Sequence, residues 1–210
     1  MTEQFDLFAE PEEKPVKKAA VPEESPRIIY FDLETQKSSG EVGGWSPVHI
    51  KQMKLAVGVV WDSREQKYFP YRENQAEKLA EKLHTADLVV GFNVLRFDYT
   101  VLEGYGPFNL EKINTFDMLK NIKDEHDFRR SLNHLAQHTL GAEKSADGLI
   151  SIQWYKEGKM DQIIEYCTQD VAITRDLFLF GEKNGYVRYK TRAGKIEDLK
   201  VDWKIAKLIR

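Results

Sequence analysis

The sequence predicts an α/β domain: a mixed sheet flanked by helices, with a C-terminal hairpin. Three observations predict it. Apolar runs that pair early in the chain give way to strands alternating with helical segments, the pattern of a mixed sheet. The 210 residues suit one domain of ordinary size with a real core. A basic, β-like stretch closes the chain, and no internal repeat is present.

The elements follow in order. Residues 1–26 hold four of the seven prolines among Glu, Lys and Ala, and read as a disordered tail. The ordered domain is placed at 27–210. Residues 28–33 are apolar apart from Asp32 and read as a buried strand. Residues 38–45 (SSGEVGGW) are Gly-rich but lack the Lys-Ser/Thr of a phosphate loop, and read as a flexible loop. Residues 53–62 and 66–72 read as a hairpin. Residues 74–86 carry Ala76, Leu79, Leu83 and Ala86 at helical spacing. A buried strand is predicted at 87–93 and a helix at 97–103. Helices are predicted at 114–125 and 131–141, the second capped by Gly141. A long helix is predicted at 160–180, then a hairpin over 186–203 turning at 193–194.

Composition narrows the class. The one cysteine, Cys167, excludes a disulfide framework and a cysteine-rich zinc site, and a reducing cytoplasm fits. No apolar run approaches the roughly 18 residues of a membrane span, and the N-terminus is acidic, unlike a signal region. Net charge is −3, but unevenly spread: residues 1–26 carry −4 and residues 186–210 carry +5. An acidic centre suits metal recruitment. The basic C-terminal segment suits either a polyanion or a solvated surface hairpin.

The first strand raises the chemical question. Asp32 and Glu34 stand at its C-terminal end and point to one face, because strand side chains alternate. Either the strand end reaches solvent, or a divalent cation lies between the two anions. Further acids arrive at the same edge. Asn93 ends a strand and Asp98 opens the next helix. Tyr166 and Asp170 are four apart, on one helical face, and Asp170 lies beside the apolar row Ile163, Cys167, Val171. Four carboxylates could hold two metal ions roughly 3.5–4 Å apart, with Tyr166 orienting a water. Asp117 is placed inside a helix as a structural or supporting acid. His134 and His138 lack a third ligand, and Cys167 faces the core.

The segments FDLET (31–35), GFNVLRFD (91–98) and YCTQD (166–170) resemble, in order and spacing, the three motifs of the DEDD superfamily of 3′–5′ exonucleases. The third is Tyr-x-x-x-Asp, the tyrosine branch; the histidine branch would need His where Glu165 stands. The wording is most similar to the proofreading exonuclease domain of family B DNA polymerases. The resemblance covers roughly residues 28–179 and implies a ribonuclease H-like fold and two divalent ions, Mg or Mn. It implies that Asp32 bridges both ions, that Glu34 and Asp170 complete the site of the water-bearing ion, and that Asp98 serves the other. The chain ends at Arg210, leaving no room for a polymerase domain, so a stand-alone nuclease or one that borrows a partner is expected.

The expected substrate is DNA, single-stranded or frayed, with RNA the alternative; a non-catalytic module gripping DNA ends is the other class. Asn93 and Trp45 are candidate substrate contacts, and Arg188, Lys190 and Arg192 candidate phosphate contacts. In the tail, QFDLF (Gln4, Phe5, Asp6, Leu7, Phe8) resembles the short peptide that docks bacterial replication and repair proteins on the β sliding clamp, with Phe5 where leucine is usual. That implies a clamp partner. Oligomeric state has no signal in the sequence.

Overall fold

The computed structural model describes residues 25–142 and 149–209; the tail peptide at 4–8 lies outside the described residues. The first strand, β1 (Ile28–Thr35), alternates by face as its sequence demands. Two short helices follow, α1 (Ser39–Val42) and α2 (Pro47–Met53). The expectation of a flexible loop at 38–45 is therefore corrected. Ser38 and Glu41 form a reciprocal capping box: the Glu41 N–H donates to Ser38 Oγ and the Ser38 N–H donates to Glu41 Oε2. Pro47 stands in the first turn of α2, where its missing N–H costs nothing.

Strands β2 (Leu55–Asp62) and β3 (Lys67–Arg72) form the expected hairpin. Helix α3 (Ala76–His84) buries Leu79 and Leu83. Then come β4 (Leu88–Gly91) and α4 (Asp98–Leu102). Strand β5 (Thr115–Asp117) occupies the start of the segment expected to be helical from 114, and α5 (Met118–His126) follows it. Asp117 is thus not inside a helix. It ends β5 and caps α5, its carboxylate accepting the Lys120 N–H at 3.1 Å. Its own short side chain, which favours caps over helix interiors, explains the boundary.

Helix α6 (Leu132–Leu140) ends at Gly141 in the left-handed conformation, as expected. Helix α7 (Leu149–Lys156) had no counterpart in the sequence reading. The long α8 (Met160–Asn184) is capped by Gly185. The hairpin of β6 (Tyr186–Lys190) and β7 (Ile196–Lys200) follows, then α9 (Ile205–Leu208).

The five-stranded sheet runs β3-β2-β1-β4-β5. β2 runs antiparallel to both β1 and β3, and β4 and β5 run parallel to β1. The sheet's margins are β3, which contains Pro70 and bears exposed Lys67 and Arg72, and the three-residue β5. One face carries Ile28, Tyr30, Val57 and Val59 against Ile163, Cys167 and Phe178 of α8 and the neighbouring elements. The other carries Ile29, Phe31, Leu33 and Val60 against α2, α3 and α4. Trp203 is fully buried, stacked on Phe178, and its indole N–H donates to Asn121.

One detail of register positions the site. β1 pairs with β4 only through Ile28–Tyr30, while its pairing with β2 continues to Thr35. The far half of β1 thus leaves one edge open, at the end where β4 also stops. The β1–β2 register also shifts between Glu34 and Thr35, an irregularity that re-aims side chains at a strand end.

Candidate active site

Asp32 and Glu34 extend the face of Ile28 and Tyr30 and so lie under α8. Asp98 comes from the first turn of α4, at the open edge of β1. Tyr166 and Asp170 come from adjacent turns of α8. All five side chains line one cavity of about 400 Å³, joined by Asn93 and Trp45. That volume lies within the roughly 300–1,000 Å³ of small-molecule sites. One carboxylate oxygen each of Asp32, Glu34 and Asp170 lies within 4.8 Å of the other two. Asp98 stands beside this trio: it is the largest charge raising Asp32 after burial itself.

Each acid has a defined support. Asp98 Oδ1 accepts the Leu33 N–H at 3.1 Å, a donor that β4 stops too early to pair. Glu34 Oε2 accepts from Ser151 Oγ at 2.5 Å. The Cys167 thiol donates to the Asp32 carbonyl at 3.4 Å, so Cys167 is buried and structural as expected. Tyr166 is held by Trp154, edge to face with ring centroids 6.1 Å apart. Ser151 and Trp154 belong to α7, as do the wall residues Leu149 and Ile152. A single Ser in an apolar run gave no sign of this role.

Electrostatics set the acids apart from ordinary surface carboxylates. Burial, followed by the charges of Asp98, Asp170 and Glu34, holds Asp32 well above the usual range. Burial pushes Glu34 up to about 8, against the Ser151 bond that lowers it. Burial likewise pushes Asp98 up to about 8. Among the described residues, no Lys or Arg pairs with these three acids. A dense set of oxygen donors fits hard divalent cations, which take oxygen ligands and offset the mutual repulsion of the carboxylates. Asp32, Glu34 and Asp170 form the one such acidic group among the described residues.

Other expected residues lie elsewhere. Arg188 is paired with Asp198 at 3.0 Å and lies over the Tyr186 ring; neither it nor Lys190 nor Arg192 lines the cavity. His134 and His138 pack ring to ring, and His134 Nε2 accepts the Lys190 N–H. Asp117 supports the turn after β4: its carboxylate accepts the N–H groups of Asn93 and Leu95 at 2.8 and 3.1 Å. Asn93 has φ 69°, so this turn carries a residue in the left-handed region.

Comparison with known proteins accords with this geometry. The RNase_H superfamily matches residues 29–179. No curated protein matches the chain. Among solved structures, the family B DNA polymerase from the hyperthermophilic archaeon Pyrobaculum calidifontis superposes with a TM-score of 0.56 at 18% identity. The match covers 74% of this chain and 25% of the polymerase, so the likeness is one of fold, over a quarter of a longer protein. The mixed five-stranded sheet with its flanking helices is the expected ribonuclease H-like fold, and the chain belongs to the RNase_H superfamily.

Proposed function

We propose that the chain is a metal-dependent 3′–5′ exonuclease of the tyrosine branch, hydrolysing single-stranded or frayed DNA to nucleoside 5′-monophosphates. The observation that carries this reading is the convergence of Asp32, Glu34, Asp98, Asp170 and Tyr166 on one cavity from three separate parts of the chain. Four unrelated surface acids would have no reason to share it. The assignment of 3′–5′ polarity and of the tyrosine branch rests on the motif resemblance.

Asp32, Glu34, Asp170 and Asp98 would hold two Mg or Mn ions, whose chemistry when bound is to acidify a water and to stabilise the leaving 3′ oxygen. The residues do the rest. Asp32, a member of the acid trio whose strongest neighbouring charge is Asp98, links both halves of the site. Tyr166, fixed by Trp154, orients the attacking water through its hydroxyl. Ser151 fixes the rotamer of Glu34. Trp45 and Asn93, on the cavity wall, are placed to meet the terminal nucleotide.

Residues 27–210 form the catalytic unit in this reading. Residues 1–26 act as a tether whose segment Gln4–Phe8 docks on a bacterial β sliding clamp, raising the local concentration at primer ends. A cytoplasmic place fits that partner. No helix among the described residues is long and apolar enough to cross a membrane.

The test uses matched 5′-labelled single-stranded DNA and RNA with Mg or Mn, comparing wild type with Asp32→Ala on a denaturing gel. A ladder shortening from the 3′ end on DNA, absent in the variant, is expected. A ladder on RNA alone would move the protein to RNA trimming. No hydrolysis of either would end the nuclease reading.

A further inference from the structure

The acid-lined cavity is bordered by three hollows, of about 400, 310 and 480 Å³, and Asn93 lines all four. The walls change sign along the way. Arg129 lines all three hollows and Arg96 two of them, with Lys120 and Lys123 in the second and Arg130 in the third. Five cations thus face two carboxylates, and both carboxylates are already engaged. Asp117 is committed to backbone N–H groups, and Asp124 to Lys120.

Arg96, Lys123, Arg129 and Arg130 form no ion pair among the described residues. The contrast with the C-terminal hairpin is direct: Arg188 and Lys195 there are paired with Asp198 and Glu197. The backbone presents this basic cluster through two turns in the left-handed region, Asn93 with φ 69° and Asp127 with φ 48°. The first precedes Arg96, and the second reverses the chain after α5 so that Arg129 and Arg130 return toward the cavity. Arg130 is held over the Phe128 ring, 4.3 Å from its centroid. At the mouth, exposed Trp45 packs against Phe97, and both rings line the acid cavity and the first hollow.

Uncompensated cations beside one another repel, and a polyanion relieves that repulsion while releasing its counterions. We propose that this furrow is the track of a single polynucleotide strand leading to the acid site. Arg96 and Arg129 take the phosphates of nucleotides preceding the scissile bond, and Trp45 and Phe97 offer ring faces to unstacked bases. Phosphate contacts position a strand without reading its sequence, and aromatic faces accept any base. The inference rests on the nuclease reading for the identity of the acid site, and it moves the phosphate track from the C-terminal hairpin to the furrow.

The experiment uses the full chain in EDTA, with a fluorescein-labelled oligothymidylate, and follows anisotropy across salt concentrations. Arg96→Gln with Arg129→Gln is compared with Arg188→Gln with Arg192→Gln. The furrow double variant should bind about ten-fold or more weakly. Its plot of log affinity against log salt should flatten by about 1.4, at ~0.7 per phosphate contact on single strands. The hairpin double should match wild type in both. Both furrow residues are exposed, so the melting temperature should not move.

A second readout separates this inference from the nuclease reading. The p-nitrophenyl ester of thymidine 5′-phosphate has a phenol in place of the preceding nucleotide. With Mn, the furrow double should hydrolyse it like wild type while its KM for the oligonucleotide rises. Wild-type binding and salt slope in the furrow double overturn the inference, as does absence of oligothymidylate binding by wild type. If the furrow double loses binding while wild type hydrolyses neither substrate, the furrow stands and the nuclease reading falls.

Discussion

The carboxylate of Asp98 accepts the backbone N–H of Leu33 at 3.1 Å, joining residues 65 apart in sequence. Leu33 sits between Asp32 and Glu34, so this bond ties the third acid directly to the strand that carries the first two. It exists because β1 outruns β4 and leaves that donor without a strand partner.

Asp98→Asn keeps an acceptor for Leu33, whereas Asp98→Ala does not. Both should abolish hydrolysis. The Ala variant should be less stable than the Asn variant by about 1–3 kcal/mol, the cost of an unsatisfied buried donor. Urea denaturation of the pair measures the difference; equal stabilities would mean that the bond does not hold the site together.

Glu34 provides the pH test. Its folded carboxyl titrates at about 8, while an unfolded Glu titrates near ~4.3. Between those values the folded state binds more protons than the unfolded chain, so this group makes stability fall as pH rises. In EDTA, Glu34→Gln should therefore gain on wild type by about 1 kcal/mol or more between pH 5 and pH 8. Millimolar Mn at pH 8 should raise the melting temperature of wild type and leave that of Glu34→Gln nearly unmoved. A pH-independent gap between the two proteins would contradict the buried, cation-seeking character of the site.

Asp117 serves three backbone donors at once, those of Asn93, Leu95 and Lys120. Asp117→Ala should cost roughly 2–4 kcal/mol from a lost cap and unsatisfied N–H groups. That corresponds to a fall in melting temperature of about 5–15 °C for a domain of this size. Because the turn it supports leads to Asp98, turnover should fall as well. Asp117→Asn, which retains one acceptor oxygen, should recover part of both.

Gly181 faces the buried indole of Trp203. A Cβ there would lie 2.4 Å from Trp203 Cε3. Gly181→Ala should destabilise by about 1–3 kcal/mol through overpacking, read by chemical denaturation, and should leave metal-induced stabilisation intact because the clash is remote from the acids. A neutral effect would show that the segment after β7 yields easily.

Much of this site was legible because its residues obey short-range periodicities. Asp32 and Glu34 share a face by strand alternation, and Tyr166 and Asp170 by helical spacing. The apolar row Ile163, Cys167, Val171 showed which side of α8 turns inward. The errors have local causes. Residues 114–117 were assigned to the helix that follows, although Asp117 is a capping residue type. The glycines of 38–45 obscured the Ser38–Glu41 capping box, a signal present in the sequence. Helix α7 carries Leu149, Ile152 and Trp154 without a clean amphipathic repeat, and Ser151 finds Glu34 across 117 residues, a contact no local pattern encodes. The basic furrow was invisible for the same reason: Arg96 and Arg129 meet only through the fold, whereas the cations of the C-terminal hairpin are conspicuous in a linear count.

The margins of the sheet bear on how the protein behaves in company. A naked strand edge recruits other chains, but β3 carries Pro70 within it and Lys67 and Arg72 at its ends, and β5 offers only three residues. Proline cannot donate to a further ladder, and so short a strand gives an incoming partner little to grip. Growth of the five-stranded sheet from molecule to molecule is hindered at both of its margins.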